Sequence, residues 1–213
     1  MQTIALIDYG SGNLRSAEKA LWEAARRLNK RRDIHTTADP DFIAAADRVV
    51  LPGVGAFAAC MAALAARSGV IEALIQSVKV RGAPFLGVCV GMQLLATRGL
   101  EFGETAGLDL IPGDVRRLEP DTPLAKVPHM GWNEVRAEAP STLFWPSGGK
   151  PFYFTHSFAF HPEAEADVAL SADHGGRFAA AVQRGNVAGV QFHPEKSQGE
   201  GLALISRFLE WAP

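Results

Sequence analysis

Pro84–Ala96, reading PFLGVCVGMQLLA, decides how this chain folds. Phe85, Leu86 and Val88 form a short apolar run behind Arg81-Gly82-Ala83-Pro84, the pattern of a strand buried on both faces. From Val90 the spacing becomes helical, with Met92, Gln93, Leu94, Leu95 and Ala96 as good helix formers. Cys89 sits at the changeover, two residues from Gly87 on one side and from Gly91 on the other. Such a corner holds its residue on a sharp turn and lets neighbouring backbone approach closely. It exposes a thiol at the carboxyl end of a sheet and at a helix N-terminus, where the dipole and free N–H groups favour thiolate. The same N–H groups, beginning with that of Val90, are placed to stabilise an oxyanion. Free cysteine is also among the most buried residue types. The corner alone therefore leaves a small core residue as the competing reading, and a nucleophile requires a base.

Outward from the corner, apolar runs alternate with helical spacing. Thr3–Ile7, Asp33–Thr37 and Arg48–Leu51 read as strands, with helices predicted over Leu14–Leu28, Pro40–Ala46, Ala58–Ala66 and Val70–Val80. Alternation of this kind gives βαβ units, a mostly parallel central sheet flanked by helices, and ligands at the carboxyl ends of the strands. Beyond a polar, glycine-punctuated loop at Gly99–Gly107, the chain turns β-rich. Val115–Leu118, Ala125–Val127, Trp132–Val135, Phe152–Phe154 and Phe178–Val182 are short runs split by turn signals, which predicts an added antiparallel sub-sheet. A last strand, Val187–Phe192, leads into His193-Pro194-Glu195-Lys196-Ser197, and Gly199–Trp211 closes the chain as an amphipathic helix. No internal repeat, linker or low-complexity tract divides residues 1–213, so one domain is expected.

With 213 residues, a net charge of −2 and 47% hydrophobic residues, the chain has the balance of an ordinary globular protein. There is no basic excess to suggest nucleic acid, and the run Arg26–Arg32 reads as a solvated helix end and loop. No apolar run approaches membrane-spanning length, and no secretory leader is apparent. Two cysteines, Cys60 and Cys89, do not make a disulfide framework, which fits a reducing cytoplasmic setting. Cys60, among alanines, reads as core. Gly10-x-Gly12 falls short of a dinucleotide fingerprint because Arg15 occupies the third glycine position. The histidines lack ligand spacing, so neither a metal nor an organic cofactor is expected.

The base lies near the end of the chain. His193 and Glu195 are one residue apart, and in extended backbone such positions project to one side. The carboxylate then reaches one imidazole nitrogen, fixes the tautomer and leaves the other nitrogen to face a thiol. His193 follows a strand, so a parallel sheet brings it to the same edge as Cys89. Pro52-Gly53-Val54-Gly55-Ala56-Phe57 ends the third strand with two glycines around one residue, a turn able to aim a peptide N–H from Val54 or Gly55 at the same cleft. Gln93, one helical turn after Cys89, is placed either to grip a substrate amino acid or to hydrogen-bond on the helix surface.

Gly87-Val88-Cys89-Val90-Gly91-Met92-Gln93 together with His193-Pro194-Glu195 resembles the class I, triad-type glutamine amidotransferases. More selective are Asp8-Tyr9-Gly10-Ser11-Gly12-Asn13-Leu14-Arg15-Ser16, the Pro52–Phe57 turn, Pro128-His129-Met130-Gly131-Trp132-Asn133 and His193–Ser197. In that order they resemble the family of glutaminase subunits of imidazole glycerol phosphate synthase, over essentially the whole chain. Val90 departs from the leucine common in that family, conservatively, because the position acts through its backbone. The resemblance implies Cys89, His193 and Glu195 as catalytic residues, backbone donors at Val90 and at Val54 or Gly55, and substrate contacts at Gln93 and Gly53. It also implies glutamine as substrate, ammonia passed to a barrel-shaped cyclase subunit in a heterodimer, and activity raised when that partner binds its ligand. Asn13, Trp132 and Lys196 are candidate interface residues, although Trp132 also suits the core and Lys196 a solvated charge. The competing readings are the glutaminase of another synthase, a non-catalytic binding module and a cysteine peptidase.

Overall fold

The computed structural model describes all of residues 1–213. Strand β1 (Gln2–Ile7) leads to helix α1 (Leu14–Arg27), β2 (Arg32–Thr37), α2 (Pro40–Ala45) and β3 (Arg48–Gly53). Helices α3 (Phe57–Ala65) and α4 (Val70–Ile75, prolonged by a π-turn to Val80) then return the chain to β4 (Phe85–Cys89) and the single turn α5 (Val90–Gln93). Two short strands, β5 (Arg98–Gly99) and β6 (Thr105–Ala106), precede β7 (Gly113–Arg117), β8 (His129–Ala137), β9 (Lys150–His156), β10 (Phe158–Pro162), β11 (Val168–Asp173), β12 (Arg177–Arg184) and β13 (Val187–Val190). Helix α6 (Gln198–Glu210) ends the chain.

Nine strands form one sheet in the order β2-β1-β3-β4-β13-β12-β11-β8-β9. The first five run parallel, and antiparallel pairing begins at β13/β12. Ile4–Ile7, all of β3 and all of β4 are buried, as a parallel strand covered on both faces requires. Helices α1 and α6 pack together, and α4 packs against both α2 and α3; right-handed crossovers place these two groups on opposite faces of the sheet. The remaining strands form a second, four-stranded sheet in the order β10-β7-β5-β6.

The added antiparallel strands extend the main sheet, and a second, smaller sheet is present as well. Two expectations need correction. Ala125–Val127 is not a strand but part of an irregular segment ending at the cis bond Val127–Pro128. The helix after Cys89 is only one turn, because the backbone breaks after Gln93. Strands β10 and β11 had no counterpart in the sequence reading.

Candidate active site

The close fit of the corner follows from its glycines. A Cβ on Gly91 would stand 1.9 Å from the Leu51 carbonyl oxygen, and one on Gly53 would stand 2.6 Å from Gly91 N. Only bare backbone lets α5 lie this close to β3. Cys89, at φ 55° and ψ −114°, takes the strain of the turn. Its side chain is buried, and its register partner on β3 is Gly53. With α5 reduced to one turn, the dipole anticipated from a longer helix is small, and the polarity around the sulfur comes from side chains. Gln191 Nε2 donates to Cys89 Sγ at 3.8 Å, and Gln93 Nε2 donates to Gln191 Oε1 at 3.0 Å.

His193 follows β13, the neighbour of β4, so the parallel pairing brings it to the cysteine's edge of the sheet. Its Nδ1 is 2.8 Å from Glu195 Oε1, and both side chains are nearly inaccessible. Burial alone would depress the imidazole, but the neighbouring Cys89 and the bond to Glu195 outweigh it and raise the His193 pKa to about 10. Backbone bonds hold the ring's base in place. His193 N–H donates to the Tyr153 carbonyl, Tyr153 N–H to Ser197 Oγ, and Ser197 Oγ–H to the His193 carbonyl, at 2.9, 3.0 and 2.7 Å.

Cys89, Val90, Gln93, Val54, Gly55, His193 and Lys196 line one cleft of about 290 Å³. Glu195 stands behind His193 with Asn13 and Gly53 around a second, much smaller cavity. Gly53 is therefore not among the cleft residues; its part is the close contact with α5. In the glycine turn, the Val54 carbonyl accepts from Ser11 Oγ at 2.8 Å and from Cys60 Sγ at 3.3 Å, while Val54 N–H reaches Ser11 Oγ at 3.4 Å. A trans peptide points Gly55 N–H opposite to that carbonyl. Cys60 is buried as expected, but it is also a donor to this turn. Trp132 is half exposed on β8, its ring 6.0 Å from that of Tyr153, and the Lys196 ammonium lies 5.9 Å from the same ring. Trp132 and Lys196 thus share a rim, whereas Asn13 lines the small cavity.

Sequence reasoning missed several cleft groups. Glu101, noted only as part of a polar loop, lines the cleft and accepts the Phe57 N–H at 2.8 Å. Gln191 is buried beside the sulfur; a polar residue closing the run Val187–Phe192 was its one signal. His156 lies just beyond the expected strand Phe152–Phe154 and Phe158 opens β10, which had no counterpart in the sequence reading; both line the cleft.

The comparisons with known proteins agree with this geometry. The family model described as glutamine amidotransferase class-I matches residues 5–211. A protein of Caulobacter vibrioides named imidazole glycerol phosphate synthase subunit HisH is 62% identical over the whole of both chains. A protein of the same name from Zymomonas mobilis is 52% identical, over 99% of this chain and 97% of its own. Two solved structures share the fold. One, described as a glutamine amidotransferase, has a TM-score of 0.67 at 19% identity and covers 97% of each chain. A glutamine amidotransferase of Thermotoga maritima has a TM-score of 0.62 at 17% identity, covering 98% of this chain and 81% of its own. The chain belongs to the class I glutamine amidotransferase family, among the relatives named imidazole glycerol phosphate synthase subunit HisH.

Proposed function

We propose that this chain is the glutaminase subunit of an imidazole glycerol phosphate synthase, hydrolysing glutamine to glutamate and delivering the ammonia to a cyclase subunit in histidine biosynthesis. The observation that carries the reading is a cysteine on a strained strand-to-turn corner, sharing one cleft with an imidazole whose Nδ1 is held by a buried carboxylate.

Cys89 Sγ attacks the side-chain amide carbon of glutamine. His193, already holding the proton given up by the thiol, passes it to the departing ammonia, while Glu195 holds the ring and stabilises its cationic form. The tetrahedral oxyanion is met by the Val90 N–H at the start of α5, where no intrahelical partner exists. Gly55 N–H is the second donor that the present turn offers, because the Val54 N–H is engaged by Ser11. Water, deprotonated by His193, then hydrolyses the thioester. The cleft also suits an amino acid zwitterion: Glu101 takes the α-ammonium, with Gln93 and Lys196 on the polar wall.

Ammonia released into water would be protonated and lost, so the rim bearing Trp132 and Lys196 is the docking face for the cyclase, in a heterodimer. Turnover is low in the isolated chain and rises when the liganded cyclase binds. The test is glutamine hydrolysis by the chain alone, with the cyclase, and with cyclase plus its nucleotide ligand. Equal rates in all three would remove the coupling, and cleavage of peptides in place of glutamine would replace the function.

A further inference from the structure

Inward from His156 in the cleft wall runs a buried chain of polar groups that the proposed chemistry does not use. His129 and His156 are both nearly inaccessible, and His129 Nδ1 is 2.9 Å from His156 Nε2. The far nitrogen of His156, Nδ1, is 2.9 Å from the Phe158 carbonyl oxygen. A carbonyl only accepts, so the proton of His156 is on Nδ1, and its Nε2 is a bare acceptor. His129 must then donate through Nδ1, which leaves its own Nε2 as acceptor for Asn133 Nδ2, 3.3 Å away. Asn133 is oriented by its second bond, to the Asp173 carbonyl at 2.7 Å. Every link from Asn133 to Phe158 therefore has one direction. At the end of the chain, Gln93 Nε2 donates to the same Phe158 carbonyl at 3.0 Å, and to Gln191, the partner of Cys89.

Both rings must be neutral for this to work, since a second proton on either would set two donors against each other. Burial, with the neighbouring His156 and His174, holds the His129 pKa at about 3. Burial likewise brings His156 to about 4, against the pull of the Phe158 carbonyl. Phe154 and His174 stack on the His129 ring, at 4.9 and 4.0 Å between centroids, and leave it little room to turn.

We propose that His129 and His156 form a one-way hydrogen-bond relay whose task is to position the Phe158 carbonyl, and through it Gln93, in the wall of the glutamine cleft. The assignment rests on reading that cleft as the glutaminase site. His129 and His156 are positioning residues, because neither is needed at the reacting atoms. The relay starts on β8, the strand that carries Trp132, and so joins the rim to the substrate pocket.

Two measurements test this, the first on the complex with the cyclase. Steady-state glutamine hydrolysis is compared for the unaltered chain, His156→Leu and His156→Asn. Leucine removes the donor to Phe158 and should raise KM for glutamine about five- to tenfold, the effect of losing one such hydrogen bond, with kcat changed less. Asparagine keeps a donor at the δ position and should recover most of that loss. An unchanged KM in His156→Leu, or equal impairment of the two variants, overturns the proposal. Nitrogen-15 NMR of the unaltered chain reads the rings directly. Both should be neutral with the proton on Nδ1, and an Nε2–H form at either one overturns the relay even if the variants fail to fold. Expected tautomers in a complex that does not hydrolyse glutamine would overturn the glutaminase reading instead, leaving the relay as a structural feature.

Discussion

Gly91→Ala tests the corner at its tightest point. The added methyl would lie 1.9 Å from the Leu51 carbonyl oxygen, 2.9 Å from the carbonyl carbon and 3.3 Å from that of Pro52. Ordinary carbon-to-oxygen contact begins at about 3.3 Å, so the overlap is about 1.4 Å. Both sides of the clash are backbone, and β3 is buried along its whole length between two neighbours. The turn α5 must therefore lift by about 1 Å, carrying Cys89 and the Val90 N–H with it. Overpacking of this kind costs about 1–3 kcal/mol, which in a chain of this size lowers Tm by roughly 2–12 °C. A displacement of about 1 Å at the reacting groups costs about 10²-fold in turnover. The assay is glutamine hydrolysis by the complex beside thermal unfolding of the chain, with Gly199→Ala as control, since a Cβ there meets nothing within 4 Å. Turnover within twofold of the unaltered chain and an unchanged Tm would refute the claim that bare backbone contact sets the corner.

Cys89→Ala should abolish glutamine-dependent synthesis by the complex while leaving synthesis from added ammonia intact; loss of both would make the cysteine structural. Gln191→Leu removes the hydrogen bond to Cys89 and leaves Gln93 one acceptor short in a buried site, costing about 1–3 kcal/mol in urea unfolding together with a fall in turnover. The raised His193 pKa fixes the sign of a pH effect. An unfolded histidine titrates near about 6.5, so the stability from protonated His193 is fully present below that pH and is lost as the pH rises through about 10. Glu195→Gln weakens one cause of the shift, and its urea midpoint should decline less than that of the unaltered chain over this window. Parallel decline of the two curves would show that Glu195 does not hold the imidazolium.

The parallel half of the sheet was legible because strands covered on both faces must be apolar throughout, as Ile4–Ile7 and Phe85–Val88 are. The cysteine corner and the His193–Glu195 pair were legible for a different reason: their geometry is local, set within two or three residues. The second half of the chain was harder. Strand β10 alternates only weakly, and β11 reads Val168-Ala169-Leu170-Ser171-Ala172-Asp173, with little to separate it from a loop or helix. Lys126 and Val127 carry strand-like spacing, but the segment around them pairs with no neighbour. Helix length after Cys89 also escaped, since Leu94–Ala96 are good helix formers whose backbone is taken by the loop that follows: Leu108, Asp109 and Leu110 donate to carbonyls of residues 94–96. Glu101, His156 and Phe158 in the cleft, and Gln191 against the sulfur, come from three separate stretches of chain, and only the tertiary fold gathers them.

The three-bond ring of His193, Tyr153 and Ser197 has a mechanical corollary. Cys89 is held in the parallel interior between β3 and β13, whereas His193, three residues beyond β13, is tied as well to β9 at the outer margin. Tyr153 is also the register partner of Trp132 on β8. A load on the indole is passed across one strand pair to the imidazole, while the thiol stays anchored to the deep strands.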